Sequence, residues 1–227
     1  MKTFLHFIFL INMAFGMLAA QADKGTYVLS GTVTYRQSES IPEELSSLIG
    51  GSTYTSNFKQ KTINFLPRIG YFVNTTTAVG IGIGYQSTIY TQTWGTEKET
   101  IKFPRLVIEP YVRFYKPLSD DAFFFIDGAV HFKKGTDTDK YTDSDYPEDN
   151  EKSEIEVSDW GILMRPGFVY KFAKRFAMEI SIGKLEYSSI DAKPKGAPSS
   201  ASINNTNFIA DFSLKNVTLG IEWYLSK

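Results

Sequence analysis

Apolar and polar residues alternate with a period of two along most of this chain, and the longest such run is Ile63–Tyr90. In its first half Ile63, Phe65, Ile69, Tyr71 and Val73 share one face, and Asn64, Arg68 and Gly70 share the other. In its second half Val79, Ile81, Ile83 and Tyr85 alternate with Gly80, Gly82, Gly84 and Gln86. A period of two is the signature of strands, so the run predicts a hairpin turning at Asn74–Thr77. The same alternation predicts a strand before it, Thr26–Gln37, and five after it: Lys102–Lys116, Ala122–Lys134, Val157–Phe172, Phe176–Ser188 and Phe208–Leu225. The last changes phase near Lys215-Asn216, which predicts a bulge. Pro67, Pro110 and Pro166 fall inside strands, where a missing N–H ordinarily disfavours pairing.

The connections alternate long and short. Residues 38–58, 92–101, 135–156 and 189–207 read as long loops. The links at Asn74–Thr77, Pro117–Asp121 and Ala173–Arg175 read as tight turns. The first long connection carries a helix signal: Ser40-Ile41-Pro42-Glu43 as a capping box, an apolar side of Leu45, Leu48 and Ile49, and Gly50 as a stop. Residues 135–156 are strongly acidic.

The amino terminus changes the picture. Lys2, the apolar run Phe4–Ala19 and the small residues of Ala20-Gln21-Ala22 form a secretory signal peptide over 1–22, leaving 23–227 as one exported domain. There is no cysteine, hence neither a disulfide framework nor a lipoprotein anchor. The 24 basic and 25 acidic side chains nearly cancel, which gives no basic surface for nucleic acid. Aromatics make up 15% of the chain, and after the leader no stretch reaches the ~18 apolar residues of a membrane helix. An exported, strand-rich chain without such a helix crosses a membrane as a closed barrel. The expected fold is all-β, an eight-stranded antiparallel up-and-down transmembrane β-barrel in the cell outer membrane.

The polar face decides which side faces lipid. Arg36, Arg68, Arg105, Glu109, Arg113, Asp127, Asp159, Arg165, Glu179 and Glu222 lie on it, many of them mid-strand. A basic residue facing lipid at mid-bilayer costs about 2–4 kcal/mol. The charged face therefore turns inward and the Ile/Val/Phe face outward. An eight-stranded ring is just wide enough to be filled by side chains. Arg68, Arg105, Glu109, Arg113, Asp127, Arg165, Glu179 and Glu222 are expected to pair there, with Gly80, Gly82 and Gly84 leaving room for long arginines. Tyr71, Tyr115, Tyr170, Phe176, Trp223 and Tyr224, near the short turns, read as an interfacial aromatic girdle.

Phe65-Leu66-Pro67-Arg68-Ile69-Gly70-Tyr71, Gly82-Ile83-Gly84-Tyr85, Glu109-Pro110-Tyr111-Val112-Arg113-Phe114-Tyr115, Arg165-Pro166-Gly167-Phe168-Val169-Tyr170 and Leu219-Gly220-Ile221-Glu222-Trp223-Tyr224-Leu225 together resemble the small porin-like barrels of the outer-membrane protein A superfamily, in the version common in Bacteroidetes. The resemblance spans the mature chain and implies an integral outer-membrane protein that meets the barrel-assembly machinery. Such barrels often end on Phe; this one ends Tyr224-Leu225-Ser226-Lys227.

The expected role is structural or surface-binding, through loops 38–58, 135–156 and 189–207. The interior is filled, with little or no pore activity. A monomer in outer-membrane lipid is expected, without catalysis, cofactor or metal. Two alternatives belong to other classes. A membrane-embedded lipid-modifying enzyme would use His131, which shares its strand face with Asp127. A soluble periplasmic lipocalin-like binder would turn the apolar face inward. Asp137, Asp139, Asp143 and Asp145 are oxygen donors, yet they lack the Gly and the closing Glu of an EF-hand loop.

Overall fold

In the computed structural model, which describes residues 22–40, 56–198, 201–213 and 217–225, ten antiparallel strands make one sheet. They are β1 (Tyr27–Ser40), β2 (Ser56–Phe72), β3 (Thr77–Trp94), β4 (Glu97–Pro117), β5 (Ala122–Asp143), β6 (Glu151–Ala173), β7 (Phe176–Ile182), β8 (Lys184–Pro194), β9 (Ile203–Asp211) and β10 (Val217–Leu225). The expected signal segment 1–22 lies outside the described residues except for Ala22, the helix signal at 40–50 except for Ser40, and the phase change at Lys215-Asn216 entirely.

The sheet closes on itself. Each strand from β1 to β6 pairs with the next, β6 pairs with β7, β7 with β10, and β10 with β1. The ring is eight strands around because the expected seventh and eighth strands are each split in two. The split falls at Gly183, whose φ of 71° is a left-handed value suited to glycine. On the β6 side, the β7 ladder begins at Gly167↔Ser181 and the β8 ladder at Met164↔Leu185, one residue out of step, so Gly183 is a bulge opposite Arg165 and Pro166. On the other side, Ile182 pairs with Val217 while Lys184 pairs with Asp211.

This has a consequence for closure. The β1–β10 ladder runs only from Tyr27↔Leu225 to Thr32↔Gly220. Beyond it, the ladders among the described residues are Val33–Ser40 with β2 and β9 with β8. The ring is hydrogen-bonded all the way round in the half holding the termini, and in the other half neither Val33–Ser40 nor β9 has a second ladder among the described residues.

The loops are shorter than the sequence suggests. Residues 92–101 are not a loop; β3 and β4 continue to a two-residue turn at Gly95-Thr96, with Gly95 at φ 61°. Most of 135–156 is strand, and only residues 144–150 connect β5 to β6, around a 3-10 turn at Pro147–Asp149. Residues 189–194 and 203–207 likewise belong to β8 and β9. At the opposite end the turns are tight: Asn74 Oδ1 accepts from the Thr76 N–H at 2.9 Å, and Ser119 Oγ accepts from the Ala122 N–H at 3.1 Å. The in-strand prolines are accommodated, with Pro67 opposite Gly31, Pro110 opposite Ile81 and Pro166 opposite Ile126.

Candidate functional site

The alternation sorts the strands into two environments. Val33, Phe65, Ile83, Leu106, Phe132, Ile162, Met178 and Ile221 are exposed on the outer surface. Arg68, Glu109, Arg113, Asp127, Glu179 and Glu222 are buried inside the ring. Cross-strand register brings these charges together: Asp127 lies directly opposite Arg113 on one side and Arg165 on the other.

Arg113 is the hub. Its Nε donates to Asp127 Oδ1 at 2.5 Å, and Nη2 donates to Asp127 Oδ2 at 3.0 Å. Its Nη1 reaches across the ring to Glu179 Oε2 at 2.6 Å and to Glu222 Oε1. Arg68 donates to Asp127 Oδ2 at 2.9 Å and to Glu109, and Arg165 donates to Glu109 Oε1 at 2.5 Å. Three guanidinium groups and four carboxyl groups thus tie β2, β4, β5, β6, β7 and β10 across the interior. Seven of the eight residues expected there meet in this network. Arg105 does not: it shares their strand phase but sits nearer the far end of β4, where both its terminal nitrogens bond Asp137 of β5.

Beneath the network, toward the termini, the interior is closed by aromatics. Phe72, Tyr115, Phe123, Phe125 and Tyr224 are buried with Val28 and Val169. Phe72 stacks on Tyr115 at 5.4 Å between centroids, and the Arg113 guanidinium lies 3.9 Å from the Phe125 ring centroid. This corrects the aromatic girdle. Tyr115 and Tyr224 are not on the outer surface, because each lies two residues from an inward charge, Arg113 or Glu222, and so shares its face; the Tyr224 hydroxyl donates to Glu222. Tyr71, Tyr170, Phe176 and Trp223 are on the outer surface, and Phe176 stacks with Trp223 at 6.1 Å.

The glycines of β3 are also placed differently from expectation. A Cβ on Gly82 would meet Arg68 Cγ at 3.0 Å, so this glycine does make room for an arginine. Gly80 instead lies under the Tyr111 ring, and Gly84 against Leu66.

Above the network a second group forms that the sequence reading treated only in fragments. His131 is fully buried; its Nε2 is 3.3 Å from Asp159 Oδ1 and 3.6 Å from Glu186 Oε1. Its partners are these two and not Asp127, since four residues along a strand is about 13 Å. Lys133 Nζ bridges Asp159 Oδ2 and Glu186 Oε1, each at 3.3 Å, and Lys184 also bonds Glu186. Asp159 stands two residues from Gly161, which the register sets opposite His131, so the pairing was available from strand alignment. No serine hydroxyl bonds the ring among the described residues, and no group of three His, Asp or Glu there is arranged to hold a metal.

Between the two groups is a cavity of about 260 Å³. Glu109, Arg165, Leu66 and Leu163 line it low, and Arg36, Lys133, Lys184 and Glu186 line it above. Thr34 of β1 and Val217 and Thr218 of β10 bring its wall to the point where the β1–β10 ladder ends.

No protein-family model matches this chain, and no curated protein does. Among solved structures it is similar to the outer membrane protein OprG from Pseudomonas aeruginosa (13% identity, TM-score 0.45, covering 92% of this chain and 100% of that one). It is also similar to a major outer membrane protein from Thermus thermophilus (12%, 0.44, 88% and 98%) and to the outer membrane protease OmpT from Escherichia coli (10%, 0.40, 92% and 99%). One of the three is a protease, so no single activity comes with the likeness.

Proposed function

We propose that this chain is an integral outer-membrane β-barrel whose interior is locked by ion pairs, with a structural or surface-binding role and little or no pore activity. The observation that carries this reading is the inverted polarity of the ring. Val33, Phe65, Ile83, Ile162 and Ile221 lie outside, and three arginines with four carboxyl groups lie inside. Water cannot be the solvent of the outer face without leaving a continuous apolar belt exposed. In lipid that belt is the favourable surface, and closure of the ring satisfies the backbone.

Strand length supports the same arrangement. A tilted strand needs about 9–11 residues to cross the hydrocarbon. β4, β5 and β6 have 21, 22 and 23. Their excess lies on the side away from the termini, so the β3–β6 wall stands clear of the membrane. Among the described residues, a surface ligand would meet these projecting hairpins.

The test is cell fractionation followed by gel electrophoresis of boiled and unboiled samples. Recovery from the outer membrane only with detergent, with a faster-migrating unboiled band, is the expected result. Recovery in the soluble periplasmic fraction would invert the inside/outside assignment.

A further inference from the structure

The charges of the Arg113 network do not cancel. Arg68 and Arg165 both bond Glu109; Arg68 also bonds Asp127, and Arg165 lies 3.6 Å from it. Those two guanidinium groups balance those two carboxyls. Arg113 is left for Glu179 and Glu222, and its Nε and Nη2 are already engaged by Asp127. Glu179 Oε2 and Glu222 Oε1 both take the remaining nitrogen, Nη1. Among the ion pairs of the described residues, no other cation bonds either carboxyl. Glu179 is 2% exposed and Glu222 0%.

The two side chains are diagonal neighbours on adjacent strands, since Gly220 stands opposite Glu179 and Ala177 opposite Glu222. Gly220 makes room for the approach: a Cβ there would meet Glu179 Cγ at 2.7 Å and Oε1 at 2.9 Å. Around the pair, β1 brings Ser30, opposite Glu222 and uncharged, and β2 brings Arg68, bonded to Asp127 and Glu109. From β4 come Arg113 and Tyr115, whose hydroxyl is 3.5 Å from Glu222 Oε1, and from β5 comes the negative Asp127. Lys171 of β6 lies at the aromatic floor, its Nζ 5.1 Å from the Tyr224 ring centroid and 5.2 Å from that of Phe123. On β10 itself the Tyr224 hydroxyl donates to Glu222.

We infer that Glu179 and Glu222 hold one proton between them at neutral pH, and that this proton keeps the interior plug tight. Two carboxyls sharing one N–H group away from water cannot both stay ionised. With one proton the pair carries a single charge, which Arg113 balances, and the three guanidinium and four carboxyl groups become neutral together. Losing it in alkali sets two like charges side by side and loosens their hold on Arg113. The inference rests on the locked interior proposed above.

Infrared spectroscopy of the detergent-purified, heat-modifiable protein in heavy water tests it. At neutral pH the unaltered protein should show the carbonyl band of a buried protonated carboxyl, and strong alkali should remove it. Glu222→Gln and, as a second variant, Glu179→Gln should each lose that band at neutral pH, because the remaining carboxylate then has Arg113 to itself. Glu186→Gln, in the upper group, should keep it. The same alkali should lower the temperature at which the unaltered unboiled band converts, and Glu222→Gln should lose that dependence on pH. Absence of the carbonyl band from the unaltered protein at neutral pH overturns the shared proton, and so does a band that survives in both glutamine variants. Glutamine variants that convert at a temperature as low as Arg113→Ala overturn it as well, since both carboxylates would then be needed in ionised form. Large conductance steps from unaltered protein that still shows the carbonyl band would sink the locked interior alone, which separates the two failures.

Discussion

Arg113 and Asp127 meet side-on, with Nε and Nη2 of the guanidinium donating to the two oxygens of one carboxylate at 2.5 and 3.0 Å, across the β4–β5 ladder that pairs their Cα atoms. Both are buried, and the bond leaves Arg113 Nη1 aimed across the ring at β7 and β10.

Removing one partner of a buried ion pair costs about 3–5 kcal/mol, because the remaining charge keeps its desolvation penalty without its bonds. Arg113→Ala strands Asp127, Glu179 and Glu222 together. It should lower the temperature at which the unboiled band converts to the slower one by more than any other single substitution in the ring. Arg105→Ala, which breaks only the partly exposed pair with Asp137, should shift it far less.

Lipid contact is tested by charge. Ile83 is 60% exposed on β3 within the belt. Ile83→Lys should cost about 2–4 kcal/mol in refolding into vesicles, whereas Ile155→Lys, beyond the belt on β6, should cost about 0–1 kcal/mol. Equal penalties would contradict the placement of the membrane.

Two strand glycines separate steric need from composition. A Cβ on Gly80 would lie 2.3 Å from the Ile69 carbonyl oxygen and 2.7 Å from the Tyr111 ring, so Gly80→Ala should cost about 1–3 kcal/mol. A Cβ on Gly128 would find only Val112 at 3.7 Å. Gly128→Ala should be neutral or stabilising by about 0.4–1 kcal/mol. Urea titration of the refolded protein compares the two.

Much of this was legible because inside and outside differ so sharply in polarity. Alternation alone assigned Arg68, Glu109, Arg113, Asp127, Arg165, Glu179 and Glu222 to one face. The same rule, applied to Tyr115 and Tyr224, would have put them inside too; judging them by residue type placed them at the interface. Residues 92–101 and 135–156 looked like loops because a strand projecting into water on both sides loses its alternation. The split of the seventh expected strand was not legible, since it depends on Gly183 shifting one ladder by a residue.

Outside the membrane, Glu154 bonds Lys152 and Lys195, each at 2.5 Å, and Lys195 belongs to the turn after β8. Hydrogen bonding by Lys152, then by Lys195, lowers its pKa from the ordinary carboxylate value to about 2. A lowered folded-state value means the contact is fully formed above the ordinary carboxylate range and is lost only as pH falls toward about 2. The Glu154 carboxyl carbon, followed by NMR, should titrate near that pH. Lys195→Ala should raise the midpoint, and Lys152→Ala should raise it further.

The central claim is an interior closed by charge. Single-channel recording in planar bilayers tests it most directly. The purified protein should give no stable open-channel steps, and Arg113→Ala should add at most brief flickers where the network has loosened. Large, long-lived conductance steps from the unaltered protein would mean that the arginines and carboxylates line a water-filled pore instead of blocking one.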